Sequence, residues 1–347
     1  MSHDREAGMF SGSSDAVHAL HAGIRAGRRL ALARAISWVE NERSGFQELL
    51  HSLLLGPLQR GARMGLTGPP GAGKSTLVAA LAEALLSRGD RIGILAVDPS
   101  SPFSGGALLG DRIRMNELAT RDDVFIRSMA SRGSLGGLAT NSHEVLDLYD
   151  AFGFSQILVE TLGVGQAELE VAAAADTVVV VLVPESGDAI QAMKAGLMEI
   201  ADIFVVNKAD RPGADGLVRE IRTALHLRQG ASVVETADTP APWSPPVLRT
   251  IAHRGTGIAD LLDAVEAHRS WMTAQGELER RRNARAELRI RAILNRDAKR
   301  VVRRFLARPE VLAGALDGIE RGRGTPYSEA DRLRRKLGWS GEEGESP

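Results

Sequence analysis

The sequence contains no cysteine. Disulfides, thiolate metal sites and cysteine nucleophiles are thereby excluded. An excess of charge of one sign is also lacking: 43 Lys and Arg stand against 44 Asp and Glu, a formal net charge of −1. That balance gives no global pull toward nucleic acid or an anionic membrane, and neither is expected as a partner. Long hydrophobic runs are missing too. Thr177–Val183 is strongly apolar but far too short to span a bilayer, so it reads as a buried strand. The opening residues MSHDREAGMF are charged and carry no apolar core of a secretory signal, so the expected location is the cytoplasm. Histidines are scattered: His143, His226, His253 and His268 are expected at the surface rather than as metal ligands.

What is present is an ordinary globular composition, 44% hydrophobic and 25% charged over 347 residues. That length suits one extended domain or two. The most informative stretch is Gly65–Thr76, GLTGPPGAGKST. Met64, Leu66 and Thr67 read as the end of a buried strand, and Gly68 to Ser75 satisfy G-x-x-x-x-G-K-[ST] at every position. Glycines let the backbone wrap close to an anion, so that N–H groups and the following helix N-terminus point at phosphate oxygens. Gly71, Ala72, Gly73, Lys74, Ser75 and Thr76 are therefore candidate phosphate-binding residues. Lys74 supplies a point charge to the β- and γ-phosphates, and Ser75 a hydroxyl to Mg²⁺. The strand before this motif and the helical stretch Leu77–Leu86 behind it distinguish it from a glycine-rich turn. The expected ligand is a nucleoside triphosphate.

Organisation follows from the change of period along the chain. Residues before about Arg28 are rich in Ser, Gly and charge and are expected to be loosely ordered. From Arg28 to Pro57 apolar residues recur at helical spacing, broken at Glu42–Ser44 into two helices. Seven short apolar segments then alternate with helical ones: Arg63–Thr67, Ile92–Val97, Val124–Arg127, Gln156–Thr161, Thr177–Val183, Ile203–Asn207 and Val247–Ala252. Apolar runs without alternation, separated by helices, predict an α/β fold with a mostly parallel sheet covered on both faces. Residues 1–60 would form an N-terminal helical segment, 61–272 the P-loop domain and 273–347 a C-terminal helical arm. In that arm Glu277–Arg308 is arginine-dense, with Ile290, Leu294, Val301 and Phe305 spaced along one helical face. It reads as a solvated helix with an apolar seam, in need of a partner, rather than as a nucleic-acid surface.

In such a sheet, ligands sit at the carboxyl ends of the strands. Asn207-Lys208-Ala209-Asp210 follows the strand IFVV directly. A carboxylate at Asp210 can accept two hydrogen bonds from guanine N1–H and the exocyclic amine, a donor pair that adenine lacks. Lys208 can lie along the purine and ribose, and Thr250, Ile251 and Ala252 are candidate backbone support for the base. Asp98 ends the strand ILAV, where a carboxylate can hold Mg²⁺ through water or orient the attacking water. Glu160 stands at the position of a Walker-B acid, and the Gly163 amide is placed to bond the γ-phosphate. Asp111 is a third acid within reach of the metal if its loop closes. Arg112, Arg114 and Arg127 read as structural or partner-facing groups.

The ordered set GPPGAGKST, VDPSS, LGDRIRM, SLGGLA, ETLGVGQAE, the segment from Gly187 to Lys194, and NKAD resembles the GTPase chaperones of methylmalonyl-CoA mutase. Those proteins fall within a class of P-loop GTPases that includes the nickel-insertion GTPases. The resemblance runs from about Arg28 to about Arg308 and implies GTP and GDP as ligands with Mg²⁺. It implies an adenosylcobalamin-dependent acyl-CoA mutase as partner, gated loading of intact cofactor, and a homodimer joined through C-terminal helical arms. It carries Asp98, Asp111, Glu160 and Ser75 to the metal, and Asn207, Lys208 and Asp210 to guanine. Glu185–Gly196 becomes the partner-responsive switch, with Asp188, Gln191 and Lys194 at matching positions; Lys194 would act at the phosphates or at the partner interface. Departures from the family pattern fall at Ala189-Ile190, near Glu185 and at Ala167, which leaves the client open. Isobutyryl- or hydroxyisobutyryl-CoA mutases are alternatives. Other readings are a nickel-type metal-insertion GTPase and an amino-acid-transport-linked kinase.

Overall fold

The computed structural model describes residues 4–56, 59–98, 116–130, 141–161, 171, 173–184, 196–229 and 242–339. Its centre is a seven-stranded sheet in the order β3-β2-β4-β1-β5-β6-β7, every described pairing parallel. The strands are β1 (Ala62–Thr67), β2 (Ile92–Asp98), β3 (Val124–Ala130), β4 (Gln156–Thr161), β5 (Thr177–Leu182), β6 (Ile203–Val206) and β7 (Val247–Arg249). β5, TVVVVL, is buried along its whole length, as β-branched residues covered on both faces should be. The order places β1 at the middle of the sheet, so the loop that follows it opens between strands on either side.

In chain order the helices are α1 (Asp4–Arg25), α2 (Arg29–Glu40), α3 (Phe46–Leu54), α4 (Lys74–Ser87), α5 (Asn116–Ala119), α6 (Ser142–Phe152), α7 (Leu197–Ile200) and α8 (Ala214–Gln229). They continue with α9 (Ile258–Ala274), α10 (Glu277–Leu306), α11 (Pro309–Glu320) and α12 (Pro326–Lys336). One face of the sheet packs α6, which is itself roofed by α1, α2 and α3. Sandwiched in this way, α6 buries even Glu144, Asp147 and Asp150. α4 and α9 share a core cluster on the opposite face. β5 and β6 pack with α7 and α8.

The region before Arg28 corrects the expectation of loose order: it contains α1, in which Val17 and Ile24 are buried. Few apolar residues interrupt the Ser, Gly and charge there, but Val17, Leu20 and Ile24 recur at helical spacing and join the α2–α3–α6 core. Burying a side chain of that size contributes about 1.5–3 kcal/mol. Tertiary packing outweighs composition in this segment.

Charge is buried at the amino ends of the strands. Arg63 donates to Asp150 at 2.6 Å and to Asp147 at 3.5 Å, and the Gly61 amide also bonds Asp150 at 3.0 Å. Beside β5 and β6, Asp202 receives the Val178 amide at 2.8 Å and both Nη1 and Nη2 of Arg281 at 2.9 Å. His268 Nε2 lies 3.3 Å from the same carboxylate, its Nδ1 is 2.9 Å from Thr177 Oγ1, and its ring is fully buried against Trp243 and Trp271. A surface place for His268 is thereby corrected, since these aromatic and carboxylate partners come from distant parts of the chain. Burial alone would raise the Asp202 carboxyl, but the hydrogen bonds from His268 and Arg281, with their charges, hold it below the ordinary aspartate value.

The chain divides into two compact units, 1–281 and 282–347. In the second, a capping box between Thr325 and Ser328, with Pro326 at the first helical position, starts α12, which packs on α11. Ile290, Leu294 and Val301 of the arginine-rich helix remain exposed, as do Leu312 and Leu316. No helix among the described residues is long and apolar enough to cross a membrane.

Candidate functional site

The loop after β1 needs glycine for two separate reasons. Gly68 has φ +136°, and a Cβ there would lie 2.0 Å from the Val181 carbonyl oxygen of β5. Gly73, the N-cap of α4, has φ +83°, and its Cβ would meet Asn207 Nδ2 at 2.5 Å. No side chain caps α4. The N–H groups of its first turn therefore remain available to an anion, reinforced by the dipole of a 14-residue helix.

Lys74 is 5% exposed, and its ammonium donates to the loop's own carbonyls, Gly68 O at 2.8 Å and Pro69 O at 3.0 Å. Ser75 Oγ donates to Glu160 Oε1 at 2.7 Å, with both residues buried. Strand register brings that pair together, since Leu66 of β1 and Ala96 of β2 both align with Glu160 of β4. Asp98, two residues beyond Ala96, ends β2 with Ala130 of β3 as its register partner. Ser75 and Glu160 thus meet at the carboxyl end of the sheet, where β2 also ends, at Asp98, while Thr76 follows in the first turn of α4. A hydroxyl and a carboxylate, hard oxygens side by side at a phosphate-binding helix terminus, fit Mg²⁺. Asp111, Gly163 and Lys194 lie outside the described residues.

The loop after β6 is tied to the loop after β1. Asn207 is buried, and its Nδ2 donates to Ala72 O at 2.9 Å. Its Oδ1 accepts from Thr250 Oγ1 at 3.0 Å and from the Ala252 amide at 3.2 Å. Lys208, at φ +54°, stretches its ammonium to Gly71 O at 2.8 Å. Three segments far apart in sequence are locked together by one amide side chain. Sequence reasoning placed Asn207 on the base. The signal for its bridging role was its chemistry, because an amide has donors and an acceptor that must all find partners when buried. Asp210 is partly exposed, 3.9 Å from Arg254, and Ile251 pairs with Thr256 to shape the turn that follows. A cleft of about 710 Å³ opens at the other end of the sheet, lined by Met64, Leu85, Arg88, Leu262 and Arg269 among others. It has none of this phosphate-directed geometry.

Comparison with known proteins agrees with this geometry. Residues 32–309 match the family described as methylmalonyl Co-A mutase-associated GTPase MeaB. A protein of Mycobacterium tuberculosis named "Probable GTPase" is 42% identical, covering 78% of this chain and 80% of that one. The mouse protein named methylmalonic aciduria type A homolog, mitochondrial, is 37% identical, covering 80% of this chain and 69% of its own. Among solved structures, one described as LAO/AO transport system kinase superposes with a TM-score of 0.63 at 27% identity, covering 93% of this chain and 97% of that one.

Proposed function

Since the chain belongs to the methylmalonyl-CoA mutase-associated GTPase MeaB family, a family of P-loop GTPases, we propose that it is a GTP-hydrolysing chaperone of an adenosylcobalamin-dependent acyl-CoA mutase. Methylmalonyl-CoA mutase or a close relative is the client, and the GTPase gates loading of intact cofactor and protects the enzyme. The observation that carries the nucleotide part of this reading is the paired arrangement of Lys74 on loop carbonyls and Ser75 on Glu160. The client part rests on the family.

In this reading the β- and γ-phosphates displace the Gly68 and Pro69 carbonyls from Lys74 and take up the α4 amides. Ser75 and Glu160 hold Mg²⁺, with Asp98 and Asp111 near it; when bound, the ion neutralises charge on the phosphate oxygens. Asp98 orients the water that attacks the γ-phosphorus, forming a new O–P bond as the bond to the β,γ-bridging oxygen breaks and GDP leaves. Asp210 reads guanine, Lys208 flanks the purine, and Ile251 and Ala252 support it. Asn207 holds those parts in place through Ala72 and Thr250. Gly163 bonds the γ-phosphate. Residues 273–347 join two copies of the chain, consistent with the exposed Ile290, Leu294 and Val301. The site of action is the cytoplasm.

Nothing in these roles supplies an arginine to the γ-phosphate, so turnover by the chain alone is expected to be slow. The client orders Glu185–Gly196, with Lys194 at the phosphates or at the interface, and thereby speeds hydrolysis. By linkage, nucleotide state must change affinity for the client. The test is GTP turnover with and without cobalamin-dependent acyl-CoA mutases, for the natural protein and Lys194→Ala. Stimulation lost in Lys194→Ala supports the switch. Absence of stimulation by any such mutase, where binding is demonstrated, refutes the gated-chaperone reading. The similarity to the transport-system kinase structure favours one other reading, an amino-acid-transport-linked kinase that passes the phosphoryl group to a transported amino acid. Phosphate recovered on an amino acid instead of as inorganic phosphate would establish that alternative.

A further inference from the structure

Among the described residues β3 is the edge strand of the sheet on the side of Asp98, hydrogen-bonded to β2 alone. Edge strands are the least constrained members of a sheet, because one ladder of backbone groups is unpaired. Yet the register partner of Asp98 is Ala130, the last residue of this strand, and Val97 is paired with Met129. Any displacement of the carboxyl end of β3 is therefore transmitted through backbone hydrogen bonds to the segment that presents Asp98.

The last turn of α2 holds this strand at one point and the start of α6 at another. Arg127 of β3 donates its Nε to Glu40 Oε1 at 2.9 Å and its Nη2 to Glu40 Oε2, a two-pronged ion pair that is partly buried. Glu40 is the last residue of α2. One residue earlier, the Val39 carbonyl accepts the side-chain Nδ2 of Asn141 at 3.0 Å. Asn141 is the N-cap of α6, but its side chain does not cap that helix. It is 6% exposed and reaches across to α2 instead. In sequence Arg127 and Asn141 stand on either side of residues 131–140, so one helical turn reaches both β3 and the start of α6. α2 itself is seated rigidly, with Leu32, Ala35, Ile36 and Val39 all fully buried.

We propose that Glu40, acting through Arg127, is a positioning residue for GTP hydrolysis: with Asn141 on Val39, it makes the N-terminal helices a brace that holds β3, and through it Asp98, in the hydrolytic geometry. The inference rests on the proposed role of Asp98. It assigns the N-terminal helical segment a part in turnover beyond packing. A planar guanidinium held at both oxygens fixes direction as well as distance, which a lysine in its place would not.

The experiment compares Glu40→Gln, Arg127→Lys, the exchanged pair Glu40→Arg with Arg127→Glu, and Asp98→Ala in the full-length protein. kcat and KM for GTP are measured with excess Mg²⁺, per mole of protein shown to be folded by thermal unfolding. Glu40→Gln and Arg127→Lys are expected to lower kcat on the order of tenfold, as small misplacements of a reacting group do. KM should stay within about twofold, because ground-state nucleotide contacts are untouched. The exchanged pair should recover part of the loss. Glu40→Gln in the Asp98→Ala background should lower kcat no further. A fall in thermal stability with kcat unchanged would mean that the pair only packs, and the inference fails while the role of Asp98 stands. If Asp98→Ala leaves kcat intact, the role of Asp98 falls and the brace falls with it.

Discussion

The two ends of the sheet both bury charge, but they satisfy it in different ways. At the amino ends, Asp202 is saturated by Arg281, His268 and the Val178 amide, and Asp150 by Arg63 and the Gly61 amide. Each partner is itself a fixed side chain or backbone group, and the clusters are closed. At the carboxyl ends, Lys74 and Lys208 rest their ammonium groups on loop carbonyls, and Ser75 rests on Glu160. Carbonyls are weaker partners for a cation than phosphate oxygens, so a ligand can take over those bonds at a net gain. Buried charge that is locked to opposite charge serves stability; a cation resting on loop carbonyls can be passed to a ligand.

The contrast can be broken first at the carboxyl end. Lys74→Ala is expected to weaken GTP binding by about 3 kcal/mol, on the order of a hundredfold in Kd. Stability should change less than affinity, since the Gly68 and Pro69 carbonyls that meet the ammonium can turn toward water. Calorimetric titration with GTP, alongside thermal unfolding, separates the two effects. GTP affinity within a few-fold of the natural protein would remove Lys74 from the phosphate site.

At the amino end the expectation is reversed. Asp202→Ala takes the buried carboxylate from His268 and from Arg281, which keeps Glu277 and the Asp176 carbonyl. It should cost about 3 kcal/mol of folding stability. GTP affinity of the folded fraction should hold, because the carboxylate stands at the opposite end of β6 from Asn207. Urea unfolding followed by nucleotide titration below the transition tests this. A variant that keeps its stability but loses GTP would merge two regions that we describe as separate.

The smallest effect concerns pH. The Asp202 carboxyl titrates below its ordinary value of 3.8 in the folded chain. Its contribution is therefore complete above the unfolded value and is lost as pH falls through the lower folded one. Acid unfolding curves of the natural protein should carry this loss below the ordinary aspartate range, and Asp202→Asn should flatten that part of the curve. An unchanged acid limb in Asp202→Asn would show that other carboxylates set it.

Much of this was legible from short stretches of sequence. GPPGAGKS, the strand-ending Glu160 and the run NKAD each state their chemistry within a few residues. The seven strands could be placed because fully covered strands need unbroken apolar runs, and the family followed from the order of the motifs. His268 was misplaced because a lone histidine in a helix carries no mark of burial; Trp243, Thr177 and Asp202, which surround it, are remote in sequence. α1 was missed because its polar face dominates its composition, while Val17 and Ile24 are sparse.

What the sequence determined alone was the chemistry that a backbone can write locally: a loop that must be glycine, a lysine and a serine behind it, an asparagine and an aspartate after a strand. Those residues carry their meaning because their neighbours in the chain are their neighbours in space. Only the tertiary structure decided that Asn207 holds Ala72, Thr250 and Ala252 together, that Asp202 gathers Arg281 and His268, and that Glu40 grips Arg127. Each of these contacts joins residues from separate elements. Parallel pairing and helix packing set their distances, and no spacing along the chain encodes them.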